Sequence, residues 1–226
     1  FLEPRKRRDD GRTCHRAFRQ RQQLIKMSTR QFNGLRGLLY EFGVTFPKGR
    51  RAMMAQVSAG IDSLAPVLPK MSIDSLLQQV QRIAQLRQSI DEVEVCLKQL
   101  IKQDRQMQRA LTVPGVGVLG ATAAVATMGD PHHFKSGREF CAWLGLVPKQ
   151  TGTGGKVRLG SISKRGDTYL RTLLIHGARS VLAHAKEPGA WLEQIKQRRP
   201  ANVVCVAQAA KIARTIWAIT AKQQEY

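Results

Sequence analysis

The sequence predicts a mainly α protein: a long coiled-coil helical hairpin, then a compact helical domain with a helix-hairpin-helix-like segment. Three observations point there. Apolar residues recur at intervals of three and four over most of the 226 residues, almost no stretch alternates as a half-buried strand does, and Gly or Pro separates the periodic runs.

Residues 14–42 are the first such run, with Leu24, Ile25, Phe32, Leu35, Leu39 and Phe42 at helical spacing and Arg and Gln opposite. Gly43 stops it, "FPKGRR" makes a turn, and a second helix is expected over about 50–64, before Pro66 and Pro69. The third run has the clearest period. Ile83, Leu86, Ile90, Val93, Leu97, Leu100, Asp104, Met107 and Leu111 step as a heptad seam. Asp104 alone is polar there, a residue that can set register or partner number at a cost in stability. The seam can close on the first helix or on another copy of the chain, and self-association is expected.

In "LTVPGVGVLGATAAVATMGD", Pro114-Gly115-Val116-Gly117 fits a helix-hairpin-helix turn. Its glycines, Gly115 and Gly117, let backbone N–H groups approach an anion at the start of the next helix. A close-packed helical pair without ligand has the same pattern. Ser136 and Glu139 form a capping box before "GREFCAWLGL", whose Phe140, Trp143, Leu144 and Leu146 read as core. After a glycine-rich loop, Asp167 caps a helix to about 185, with Leu170, Leu173, Leu174 and Val181 inward and Arg171 and Arg179 outward. A short helix over 191–199 and a last one over about 201–222 complete the chain.

Charge names the kind of partner. The net charge is +21, divided as +10 over residues 1–51, zero over 52–134 and +11 over 135–226. Two basic ends around a neutral middle suggest two polyanion-binding regions held apart. Cys14, Cys96, Cys141 and Cys205 form no CxxC pair, which argues against a zinc finger and for a reducing compartment. No signal peptide and no 18-residue apolar run is visible, so neither export nor a membrane is expected, and the expected location is the cytoplasm, on the nucleoid. The chain begins with Phe1 and reads as a fragment or a processed product. His132-His133 reads as a turn, and His176 and His184 as packing or capping residues. No Walker loop, HExxH or GxSxG is present, and the few acids supply no convergent carboxylates for a divalent cation.

The loop at 148–167, "PKQTGTGGKVRLGSISKRGD", remains. It sets the hydroxyls of Thr151, Thr153, Ser161 and Ser163 among Lys156, Arg158, Lys164 and Arg165. Such a loop can grip phosphate, or attack it, with the cations stabilising charge on the phosphate oxygens.

The run from Pro114 to Leu182, "PGVGVLGATAAVATMGDPHHFKSGREFCAWLGLVPKQTGTGGKVRLGSISKRGDTYLRTLLIHGARSVL", resembles the C-terminal domain of IS110-family insertion-sequence transposases, in particular the IS1111 branch. "GLLYEFGVTFPKGRR" and the heptad segment resemble the middle region, and the likeness runs from about residue 22 to the C-terminus. The resemblance implies DNA transposition, DNA and a structured guide RNA as partners, and a covalent protein–DNA step through a loop serine. The matching position here is Thr153, a bulkier secondary alcohol. It also implies Mg²⁺ held by a RuvC-like domain with a DEDD set. Residues 1–13 lack that domain's closing pattern, so Asp9 and Asp10 take no role and no cofactor is expected in this chain. The expected organisation is a residual segment at 1–13, a basic helix and coiled-coil region at 14–110, and a C-terminal domain at 111–226. No stand-alone activity is expected. The rival expectation is a noncatalytic, basic helix-hairpin-helix protein that binds nucleic acid.

Overall fold

The computed structural model describes residues 3–45, 49, 51–57, 69–187 and 189–226. It is mainly helical. The helices are α1 (Glu3–Glu41), α2 (described over 51–57), α3 (Lys70–Gln103), α4 (Arg105–Leu111), α5 (Val118–Met128), α6 (Gly137–Trp143), α7 (Thr168–His184), α8 (Ala190–Arg198) and α9 (Ala201–Lys222). A 3₁₀ turn covers Pro131–His133, and strands β1 (Pro148–Thr153) and β2 (Lys156–Ile162) form one antiparallel hairpin. The chain divides into two compact units, residues 17–96 and residues 1–16 with 97–226.

In the 17–96 unit, α1 and α3 pair antiparallel. Early α1 meets late α3 through Arg21, whose Nε and Nη2 donate to Glu94 Oε1 at 2.9 and 2.6 Å. Late α1 meets early α3 in a core of Phe32, Leu35, Leu39, Met53, Val57, Leu76 and Ile83. Among the described side chains of α1, Cys14, Phe18, Ser28, Phe32, Leu35 and Leu39 are buried, and with the half-buried Arg21 and Ile25 they alternate steps of four and three. Such spacing keeps one stripe against a neighbouring helix over many turns. On α3, Ile83, Ile90 and Leu97 are buried and Leu86, Val93 and Leu100 half-buried, as the heptad expects. The first helix starts eleven residues before the expected 14. The part of the second expected helix beyond residue 57, and Pro66, lie outside the described residues.

Asp104 does not sit in a continuous seam. The helix ends at Gln103, Asp104 turns to extended backbone (φ −114°, ψ 110°), and its carboxylate caps α4 by accepting from Gln106 N at 2.7 Å and Met107 N at 3.1 Å. The polar residue marks a helix break, where a short acidic side chain satisfies orphan N–H groups.

In the other unit α9 is the central element and packs against α4, α5, α6, α7, α8 and the 3₁₀ turn. It is the one helix among the described residues long and apolar enough to cross a membrane, and half of that window is buried inside the unit. The expected caps form: Ser136 Oγ accepts from Glu139 N at 3.3 Å, and Asp167 Oδ1 accepts from Leu170 N at 2.9 Å. Phe140, Leu144 and Leu146 are core, but Trp143 is 43% exposed, its ring stacked on Phe140 with centroids 6.2 Å apart. The turn before α5 lies against α7 at Gly115 and Gly177, where a Cβ on Gly177 would overlap the carbonyl oxygen of Gly115.

Candidate functional site: a hydroxyl-bearing hairpin and a braced basic turn

The glycine-rich stretch expected as a loop contains a folded hairpin. Thr153 pairs with Lys156, Gly152 with Val157, Thr151 with Arg158 and Gln150 with Leu159. Gly154 and Gly155 make the two-residue turn with φ of 59° and 79°. Positive φ at both central residues is the turn whose twist matches a hairpin, and glycine enters it without Cβ strain. Near the base, Gly160 and Ser161 oppose Lys149 alone, a bulge before Pro148 pairs with Ile162.

The pairing sorts the side chains. Residues opposite one another, and residues two apart on a strand, share a face. Thr151, Thr153, Lys156 and Arg158 therefore lie on one face, and Gln150, Gly152, Val157 and Leu159 on the other. Every one of them is exposed. Two expected hydroxyls and two expected cations thus come together near the hairpin tip. Ser161 sits in the bulge, and Ser163 is half-buried below it.

The chain next forms a tight basic turn over Ser163–Asp167. Ser163 N donates to Val147 O at 2.9 Å and Lys164 N to Gly145 O at 3.1 Å. Lys164 adopts the left-handed region (φ 55°), rare outside glycine, and Gly166 lies so close that a Cβ would overlap the Trp143 carbonyl. Arg171 locks this turn from beneath. It is 7% exposed, and its Nη1 donates to Leu144 O at 3.0 Å and Arg165 O at 2.8 Å while Nη2 donates to Thr168 Oγ1 at 3.2 Å. The outward role expected of Arg171 fails for that reason: a buried guanidinium is retained where its donors meet carbonyl acceptors. The side chains of Lys164 and Arg165 remain exposed on the braced backbone.

The remaining expected residues lie elsewhere. Gly117 is the exposed N-cap of α5 with no side-chain cap, Gly115 (φ 85°) is committed to the contact with Gly177, and Arg179 is exposed on α7. His132 and His133 are exposed on the 3₁₀ turn. Cys141 is a poor nucleophile, since burial pushes its thiol pKa up and the Arg214 charge only partly offsets that. Among the described residues no three His, Cys, Asp or Glu come together as metal ligands. Sequence reasoning missed the hairpin and the brace. A Gly-Gly pair just before the alternating Val157 and Leu159 was a hairpin signal. Nothing in the sequence marked Arg171 as buried.

A basic helical unit that carries hydroxyls and cations on one exposed hairpin face is the class of protein defined so far. Residues 107–192, which hold the hairpin and the turn, match the family described as Transposase IS116/IS110/IS902. Over 213 residues, 92% of this chain, it is 44% identical to a probable family 20 transposase of Pseudomonas aeruginosa, spanning 63% of that protein. It is 38% identical to the transposase for insertion sequence element IS1111A of Coxiella burnetii, over 91% of this chain and 58% of the relative. A third relative, the transposase for insertion sequence element IS1328 of Yersinia enterocolitica, is 34% identical over 97% of this chain and 66% of its own length. The chain belongs to the IS110 family of insertion-sequence transposases, and it spans about three-fifths of the length of the curated relatives it matches.

Proposed function

We propose that this chain acts in DNA transposition, gripping DNA by its phosphates and presenting Thr153 to a phosphodiester. The observation that carries this reading is the hairpin face itself. Thr153 is exposed directly across from Lys156, with Thr151 and Arg158 two pairs further down, the next pair on the same face. In the proposed step the Thr153 oxygen forms a bond to phosphorus as one P–O ester bond breaks. The hydroxyl proton passes to a base, and the released DNA alkoxide takes up a proton. Lys156 and Arg158 neutralise charge on the phosphate oxygens as they approach the transition state.

A threonine hydroxyl is un-ionised near neutral pH and needs a base, a metal or a lowered pKa to attack. The described residues place no acid, histidine or thiol on the hairpin face. Activation is therefore proposed to come from groups outside the described residues, such as the carboxylates and Mg²⁺ that the family resemblance implies. The two basic ends fit two polyanions, DNA and a structured RNA. Pairing of α1 with α3 leaves Met27, Tyr40, Leu77 and Val95 exposed for self-association.

Binding to duplex DNA, followed by fluorescence anisotropy, tests the grip. Contacts to about 6–10 phosphates predict a loss of roughly 10³–10⁵ in affinity between 50 and 200 mM salt. Lys164→Ala with Arg165→Ala should flatten the log–log salt slope by about 2 without changing sequence preference. Affinity independent of salt sinks the reading. Where the activating groups are supplied, Thr153→Ser should keep or raise covalent protein–DNA adducts and Thr153→Ala abolish them. Adducts that survive Thr153→Ala but vanish with Thr151→Ala would move the nucleophile to Thr151. Loss of all adducts in every variant, with salt-sensitive binding intact, leaves the noncatalytic binding protein.

A further inference from the structure

A second feature lies at the foot of the same hairpin. The last residues of β2, α6, α8 and α9 enclose an open groove of about 620 Å³. That size falls in the range of small-ligand sites, on the order of 300–1,000 Å³. Its floor is apolar, built by Leu146, Val206 and Ala207, and α9 also presents Val203, 49% exposed, at its edge. Trp191 forms one wall at 39% exposure, with Lys211 Nζ 4.7 Å from its ring centroid.

The polar groups are few and of one kind of use. Arg138 and Arg214 line the groove, and no Asp or Glu does. Arg214 is braced by one bond, Nε to Ala210 O at 3.2 Å, and its charge is felt by Cys141 on the groove wall. Asn202 and Ser161 are exposed among these lining residues. An asparagine amide offers a donor and an acceptor side by side, the pattern that pairs with the edge of a base.

We infer that this groove takes an unpaired nucleobase, stacked or packed against Trp191, read at its edge by Asn202, with its phosphate held by Arg138 and Arg214. The inference rests on the nucleic-acid reading above and adds the form of nucleic acid. Two arginines with no carboxylate select an anion, and an apolar floor beside an indole selects a flat aromatic body. An unpaired nucleotide unites both, whereas a base inside a duplex is stacked and must leave the helix to enter such a pocket. The location also fits. Pro148, at the groove, and Thr153 are the two ends of β1, a separation of about 17 Å at strand rise. One strand of nucleic acid can therefore be anchored by its base in the groove while a nearby phosphate meets the hairpin tip.

The experiment compares two labelled probes with the full chain: an intact DNA duplex, and the same duplex carrying one unpaired base. The unpaired base should tighten binding. Trp191→Ala should remove that gain, about 5- to 150-fold for one lost base–aromatic stack, and leave the salt slope and the intact-duplex affinity unchanged. Trp191→Phe should restore most of it. Asn202→Ala, at an exposed position that cannot unfold the core, should erase any difference among the four unpaired bases. Equal affinity for both probes in the unaltered chain, or equal loss on both with Trp191→Ala, overturns the groove assignment and leaves phosphate gripping intact. No binding of either probe at low salt overturns the underlying nucleic-acid reading instead. If Trp191→Ala changes sedimentation but neither affinity, the groove holds a second copy of the chain and the assignment to a base is wrong.

Discussion

The α1–α3 pair and the β1–β2 hairpin are both antiparallel pairings of neighbouring segments, yet they hold together by opposite means. The helix pair keeps a stripe at heptad spacing out of water, and its ends are tied by Arg21 to Glu94 and by the Phe32–Leu35–Leu39 cluster. The hairpin buries almost nothing: Val157 and Leu159 are 67% and 66% exposed, and its cohesion is backbone pairing plus a Gly-Gly turn. Isolated two-stranded hairpins are marginal in water. This one is anchored at its base by the braced turn under Arg171. Side chains that do not stabilise a fold are free to be chosen for what they touch. The contrast assigns stability to the helical seam and contact chemistry to the hairpin.

The largest expected effect tests the seam side of the comparison. Leu35 is fully buried in the cluster shared by α1 and α3. Leu35→Asp places an unpaired carboxylate there and should cost on the order of 3–5 kcal/mol of stability, read by urea or thermal unfolding. A change below about 1 kcal/mol would show that α1 and α3 part easily, and the division of labour would fail.

How much of this was legible follows from the same contrast. The α3 heptad is written in Ile, Leu and Val and reads directly from spacing. The α1 stripe was half hidden, because the half-buried Arg21 and the buried Ser28 occupy positions within it. One is excused by Glu94, 73 residues away, which no local pattern reveals. The caps at Ser136 and Asp167 were legible because a cap is a local bond between near neighbours. Asp104 was visible as an anomaly but given the wrong cause, since a heptad seam and a capped helix break both place one polar residue between apolar ones. At the site, the residue types of the hairpin were legible while their faces were not. Faces depend on register, and register here depends on which glycines form the turn. Arg171 looked like a surface cation because its acceptors, Leu144 O and Arg165 O, are backbone carbonyls that carry no sequence signature.

An intermediate effect separates two glycines that look alike in sequence. Gly177 in α7 meets the backbone of Gly115, and a Cβ there overlaps the Gly115 carbonyl, so Gly177→Ala must move backbone. It should destabilise by about 1–3 kcal/mol, the range for overpacking. Gly37 in α1 has open space where its Cβ would be, and Gly37→Ala should stabilise by about 0.5–1 kcal/mol through helix propensity alone. Thermal melts of both variants under one buffer check the signs. Two losses would mean that α1 needs Gly37 for a contact of its own.

The smallest expected effect bears hardest on the hairpin. Leu159 is a large apolar residue in a strand, a position where truncation ordinarily costs stability through lost cross-strand packing. Its partner Gln150 and its neighbour Val157 on the same face are exposed with it, and that face is turned to solvent. Leu159→Ser should therefore shift unfolding by no more than about 0.5 kcal/mol in either direction, as surface changes do. The same variant, measured for DNA affinity across the salt series used for Lys164 and Arg165, separates the two faces. If the Thr153–Lys156 face alone meets phosphate, affinity and slope are unchanged. A drop in affinity at constant slope would show that the Val157–Leu159 face also contacts the partner, through apolar surface and not charge. A large loss of stability would instead place this face against protein, and the hairpin would join the seam as a structural element.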